Sequence, residues 1–424
     1  LAFVGEVRLR PEFLCEYSRG HGGFMLSAQL TFADGTIDYI STGDGWDAQL
    51  LGGWIAPRTY DDSIDPTPPL PAQEIENRWH CTDAPIPPCS ETRVPVKGLE
   101  HVTVPPGETI QLTADQEQIA AGYVVIDAYT TGSLTIAVRV SETIDDDGVN
   151  ETCRFERNGS YRSFELVSAG CMTATATNAG SIPADFSVSL IRTCFPVAVQ
   201  AHTITSDPQL NMVAESCAQT LQWCRQMLHL DSPRHCEPLA CTGDYYIETL
   251  MTAFTFGDLR LAAFDIRRTA QTLRDHDGRL FHTSYSLIWV EWLYDVYMRT
   301  GDASLLTDCI DALTLLLRRF RTYLGENGLI ETPPDYMFVD WLNPGGISLP
   351  HPPKALGQTC LNMFYYGALR TAEKIYAVCG LDAMAAQTHP HADALQSAVV
   401  AQLYDPEREL FFEGLNTPTP PELI

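Results

Sequence analysis

The chain has 424 residues, 45% of them apolar, and a net charge of −27 with a sequence pI near 4.6. That length exceeds one ordinary hydrophobic core and calls for two or three domains. The negative field excludes nucleic acid and anionic lipid surfaces as partners and leaves uncharged solutes acceptable. No run approaches the roughly 18 apolar residues that a membrane span requires.

Residues 1–9, LAFVGEVRL, lack the basic start and small-residue cleavage site of a signal peptide. The 13 cysteines are odd in number and scattered, with no CxxC pair and no zinc-finger spacing. They read as reduced thiols of a cytoplasmic protein. No metal and no cofactor is expected, and the composition is silent on oligomeric state.

Residues 1–98 read as a β-rich accessory module. FMLSAQLTF (24–32) alternates, Asp34-Gly35 supplies a turn, and TIDYIS (36–41) follows. Residues 57–95 are rich in proline and read as extended. Residues 99–205 carry the alternation of a β-sandwich, with YVVIDAY (123–129) and SLTIAVRV (133–140) as a strand pair across a TTG turn. SFELV (163–167), CMTATAT (171–177) and DFSVSLIR (185–192) continue it.

Near residue 206 the apolar period changes from 2 to 3.6. Asp207-Pro208 is a helix start, followed by a stripe of Leu210, Val213, Cys217, Leu221 and Cys224. A second helix starts at Asp244 with Ile247, Leu250, Met251 and Phe254 inward. Further helices cover 259–274, 286–299, 302–324, 355–379 and 387–403. Helices joined by short loops predict an α-hairpin array over 206–424.

At the junction of the two regions stands DSPRHCEPLACTGD (231–244). It gathers Asp231, Glu237 and Asp244, and a carboxylate cluster is what acid/base chemistry on a glycosidic bond requires. The plainer readings are an Asp cap for Asp244 and a salt bridge from Glu237 to Arg234. A metal at His389, His391 and Asp393 is disfavoured, because His389 and His391 do not share a helix face.

This segment resembles the signature of family-78 glycoside hydrolases, the inverting α-L-rhamnosidases. Their pattern has Asp, Pro, and a Glu seven residues before the Asp of a Trp-Thr-Gly-Asp turn. SYSLIWVEWLYDVYMRTGD (284–302), FVDWLNP (338–344) and PPKALGQTCLNMFYYGAL (352–369) resemble later stretches of the same family. Cys241 replaces the Trp of the turn. The resemblance implies β-sandwich, jelly-roll-like modules followed by an incomplete (α/α)6 toroid. It implies a carbohydrate substrate, with Glu237 as general acid and Asp231 and Asp244 holding its pKa up and binding hydroxyls. It places the base on a downstream Glu not reached before Ile424, so the chain is expected to be part of a longer polypeptide. Trp289, Glu291, Asp340, Trp341, His282 and Tyr285 are the expected sugar contacts, since a deoxyhexose suits an aromatic wall with carboxylate acceptors. Trp289 fits a helix core equally well. The alternatives are a toroid hydrolase acting on a uronic acid or fucoside, and an inactive carbohydrate-binding relative.

Overall fold

The computed structural model describes residues 27–43, 45–49, 52–73, 86–197, 201, 203–234, 241–330, 333, 358–412, 414 and 415. These form two compact units. One holds the residues up to 194 except 86–88, together with 232–234; the other holds 86–88, 195–231 and the residues from 241 on.

The strands are β1 (Ser27–Thr31), β2 (Ile37–Ser41), β3 (Asp47–Ala48), β4 (Trp54–Ala56), β5 (Thr59–Asp61), β6 (Leu70–Pro71), β7 (Ser90–Pro95), β8 (Val102–Val104), β9 (Thr109–Tyr129), β10 (Leu134–Ser141), β11 (Val149–Phe155), β12 (Gly159–Arg162), β13 (Val167–Asn178) and β14 (Ala184–Cys194). β1 and β2 form the expected hairpin, and Asp34 Oδ1 closes its turn by accepting from Thr36 N–H at 2.9 Å and its hydroxyl at 2.6 Å. A ten-stranded curled sheet runs β4-β5-β11-β10-β13-β9-β14-β7, with β12 beside β9 and β8 beside β14. β9 makes the curl: its first part pairs with β13, and its last residues pair with β14 and β12. Alternate residues of β10 (Leu134, Ile136, Val138 and Val140) are buried, as a half-covered strand requires.

Two sequence expectations change here. β4, β5 and β7 share a sheet with strands that follow residue 98, so no boundary falls there. Segments 123–129 and 133–140 are not partners, because β10 pairs with β11 and β13. The connection at 130–132 is held by side chains instead. Thr130 Oγ1 donates to Gly132 O at 2.6 Å, and Asn158 Oδ1 accepts from Thr130 N at 2.8 Å.

The helical unit contains α1 (Pro208–Cys224), α2 (Thr242–Thr255), α3 (Arg260–Asp275), α4 (Thr283–Thr300), α5 (Ala303–Arg321), α6 (Gln358–Val378) and α7 (Asp382–Leu403), followed by the short pair β15 (Tyr404–Asp405) and β16 (Leu410–Phe411). Asp207 caps α1 and Asp302 caps α5, each accepting from the N–H two residues on, at 2.8 and 3.0 Å. Packing joins alternate helices: α2 to α4, α4 to α6, and α3 to α5. Among the described residues these are seven successive members of an α/α toroid, and none is long and apolar enough to cross a membrane. α4 is buried broadly, through Leu287, Trp289, Val290, Trp292, Leu293 and Val296, whereas α5 buries one stripe. Alternate helices thus fall into an inner layer around α4 and an outer layer.

Helix faces also depart from expectation. Tyr245, Glu248, Thr249 and Thr252 take the buried positions of α2, while Ile247, Met251 and Phe254 are exposed. On α1, Leu210, Val213 and Cys217 are exposed, and burial begins at Ala218. Apolar periodicity finds the covered face only when that face is apolar, and the covered face of α2 carries polar groups. α7 starts earlier than 387 and runs through Pro390, which forfeits one backbone hydrogen bond.

Ten described cysteines are free thiols, six of them buried, including Cys153, Cys171 and Cys309. Burial pushes the thiols of Cys89 up to about 11 and of Cys309 up to about 12, so both stay protonated and unreactive. Thiol titration of the denatured protein without reductant should therefore find all 13 cysteines of the chain free. A count that rises substantially on adding reductant would contradict this.

Candidate active site

The segment that delivers Asp231 is built from the inside. After α1, the chain makes a tight reversal in which Arg225 bridges to His229 and Leu230 N–H donates to Cys224 O at 2.9 Å. Asp265 of α3 holds this reversal. Its Oδ2 accepts the backbone N–H of His229 at 3.0 Å and faces the ring Nδ1 at 2.8 Å. Its Oδ1 lies 3.2 Å from the Arg268 guanidinium. His229 and Asp265 are fully buried. A buried carboxylate with several charge-assisted partners is costly to disturb, so the backbone two residues before Asp231 is firmly placed.

On the other side of the motif, Cys-Thr-Gly-Asp opens α2. Thr242 Oγ1 donates to the Tyr285 carbonyl at 2.5 Å, which ties the start of α2 to the start of α4. A Cβ at Gly243 would sit 2.6 Å from the Tyr285 ring, so only glycine lets that ring lie against the first turn of α2. His282, the residue before α4, packs edge-on to Tyr285 at 5.2 Å. Burial lowers its pKa to about 4, so the imidazole is neutral at pH 7. The structure thus sets His282 and Tyr285, at the start of α4, against Thr242 and Gly243, the two residues before Asp244.

One acidic residue beside Asp244 is not evident from the sequence pattern. Glu248 lies one turn after Asp244 on the same face of α2. It is 6% exposed, and its Oε2 has no hydrogen-bond partner among the described residues. Burial, and then the charges of Asp244, Asp265 and Asp231, push its pKa up to about 9, against a smaller opposing pull from Arg225. At neutral pH it is a carboxylic acid among carboxylates. The signal was available as an acid four residues after Asp244. It was masked because Ile247 and Met251 suggested the opposite face as inward.

Other expected residues fall elsewhere. Trp289 is a correction: it is fully buried in the helical core, and its indole N–H donates to Ile266 O at 3.2 Å. A side chain enclosed on all sides cannot wall a sugar. Cys241, at the position of the signature Trp, is likewise in the core. Glu291 is not drawn into the Asp244 group; it turns to α6, where its carboxylate accepts from Thr371 Oγ1 at 2.7 Å. Arg234, the suggested partner of Glu237, pairs with Asp146 at 2.9 Å and donates to Asp147 O at 3.0 Å. Glu237, Asp340 and Trp341 lie outside the described residues.

A helical array with carboxylates gathered around the start of α2 has the fold of the α/α-toroid glycosidases. The sequence profile described as the bacterial alpha-L-rhamnosidase 6 hairpin glycosidase domain matches residues 200–414, half of the chain, and the chain belongs to that family. A family-78 rhamnosidase of Bacillus sp. GL1 superposes with TM-score 0.60 at 18% identity, over 72% of this chain and 33% of that one. A Klebsiella oxytoca rhamnosidase with rhamnose bound gives 0.61 at 16%, over 78% and 74%. The α-L-rhamnosidase of Dictyoglumus thermophilum gives 0.67 at 15%, over 90% and 46%. At these identities the likeness is one of fold, and the chain spans from a third to three quarters of their lengths. A comparison with curated protein sequences finds no match.

Glu248→Gln is expected to stabilise the protein above neutral pH. The folded pKa is raised, so the folded state holds a proton between about 4.5 and 9 that the unfolded chain has released. The penalty is therefore absent below 4.5 and grows as pH rises through that window. Removing it should raise the melting temperature at pH 8 by a few °C and flatten its decline with pH, given about 2–4 °C per kcal/mol for domains of this size. An unchanged pH profile in the variant would refute the assignment. Trp289→Ala is expected to cost roughly 3–5 kcal/mol in denaturant unfolding, as for a core aromatic; a loss below about 1 kcal/mol would mean that Trp289 is not core.

Proposed function

We propose that this chain carries the acid side of an inverting glycoside hydrolase that releases terminal α-L-rhamnose, with Glu237 as the general acid. The observation that carries this reading is the acidic set Asp231, Asp244 and Glu248, set close together on either side of the short segment that holds Glu237. Family membership and the fold shared with three rhamnosidases support the choice of substrate.

In this mechanism Glu237 gives its proton to the leaving glycosidic oxygen. Neighbouring negative charge keeps it protonated until that moment. Asp231 and Asp244 accept hydrogen bonds from sugar hydroxyls, and neutral His282 and Tyr285 border the site without adding charge. A second carboxylate activates water on the opposite face of the ring; the family resemblance assigns that role to a Glu on a later helix pair. Asp340 and Trp341 remain candidate sugar contacts from their loop.

A neutral sugar is favoured over a uronic acid. Among the described residues Arg225 is the fully buried guanidinium of this unit, and it is already engaged. It lies over the rings of Phe195 and Phe256, each at 5.1 Å, and donates to Asp258 O at 3.1 Å. The free thiols support a reducing, cytoplasmic setting.

The protein carrying this chain should release sugar from a nitrophenyl α-L-rhamnoside and not from the matching fucoside or glucuronide. Proton NMR should detect the β-anomer first. Glu237→Gln should slow hydrolysis of a natural rhamnoside by roughly 10²–10⁴ and slow the activated nitrophenyl substrate less. Wild-type turnover of the natural substrate by this variant would exclude Glu237 as the acid.

A further inference from the structure

The β unit holds an open hollow of its own. It occupies about 370 Å³ and is lined by Trp54, Tyr60, Asp62, Arg157, Tyr161 and Arg162, among others. That volume lies at the small end of the range for small-molecule sites, about 300–1,000 Å³.

Its wall is aromatic and held in place. The Trp54 ring lies 3.8 Å from Phe164, 5.1 Å from Tyr161 and 5.5 Å from Tyr60, centroid to centroid. Tyr161 is anchored below by its hydroxyl, which donates to the fully buried Glu151. Glu151 in turn accepts from Arg58 at 2.6 Å. Residues 52 and 53, on the lining, are glycines because the chain runs tight against its neighbours there. A Cβ on Gly52 would come within 2.2 Å of Ile64 O, and one on Gly53, at φ +91°, within 2.3 Å of the Tyr60 ring. An aromatic surface fixed in advance contributes contact area with little loss of side-chain freedom on binding.

The polar rim is paired and close to neutral. Asp62 is buried; its Oδ1 accepts from Glu156 N–H at 2.7 Å, and its Oδ2 faces Arg157 Nε at 3.8 Å, beyond hydrogen-bond reach. Arg157 is 75% exposed and also donates to Asp62 O at 3.0 Å. Arg162 is matched by Glu91 at 2.8 Å and lies over Tyr123. Every guanidinium of the rim already has a carboxylate, so the site offers no net charge to an anion. It offers donors and acceptors beside an aromatic face, which suits a neutral ring bearing vicinal hydroxyls.

We propose that this cavity is a binding site for one neutral pyranose unit of a saccharide, with Trp54 as its platform and Asp62 and Arg157 as its hydroxyl contacts. The site belongs to the β unit alone and does not rest on the activity proposed for the helical unit.

The test uses a local probe, so that sugar bound elsewhere on the chain cannot imitate the result. The whole chain, with its seven tryptophans labelled as 5-fluorotryptophan, is titrated with L-rhamnose, D-galactose or D-glucose, with glycerol as control. Trp54→Phe identifies the Trp54 resonance. At least one sugar should shift that resonance saturably, with a dissociation constant on the order of millimolar, a common range for weak single-site binding. Arg157→Ala, at an exposed position that tolerates truncation, should weaken the response about tenfold or more. Asp62→Asn, which keeps the Oδ1 acceptor, should weaken it as well. A Trp54 signal that ignores every sugar, follows glycerol equally, or titrates unchanged in both variants would overturn the proposal.

Discussion

The arrangement of the acidic site depends on one carboxylate, that of Asp265. By accepting both the backbone and the ring of His229 it converts a loop between α1 and α2 into a fixed ledge that ends at Asp231. The same carboxylate is one of the charges that hold a proton on Glu248. Positioning and electrostatics are thus coupled through one buried group. A loop alone would leave Asp231 free to move away from Asp244, because like charges separate when nothing holds them.

Crowding carboxylates carries an energetic cost, and the helical unit meets it in two ways. One is protonation: Glu248 is neutral at physiological pH, so the set carries less charge than its formulas suggest. The other is a stiff surrounding core. Trp292 donates to Thr249 Oγ1 at 2.9 Å, and α4 presents apolar side chains on most of its circumference. A rigid frame lets an unfavourable local arrangement persist, as functional sites commonly require.

The β unit repeats this logic without the acid cluster. Its buried Glu151 is held by Tyr161 and Arg58, and that network supports the aromatic wall around Trp54. Glycines at 52 and 53 let the chain pass close against the Ile64 carbonyl and the Tyr60 ring, where any side chain would collide.

The sequence by itself determined the order of the two regions, most helix limits, the caps at Asp207 and Asp302, and the family through the Asp231–Asp244 motif. These are properties of neighbours along the chain: alternation, capping and fixed spacing act over a few residues and leave a readable pattern. The tertiary structure alone decided which face of α2 is buried, that Trp289 is core, that Glu291 turns to Thr371, and that β10 leaves β9 for β11 and β13. It alone joined His229 to Asp265 and placed Glu248 among the acids. In each case the deciding partner lies on another element, and a face or a pKa is set by what packs against a residue rather than by what precedes it.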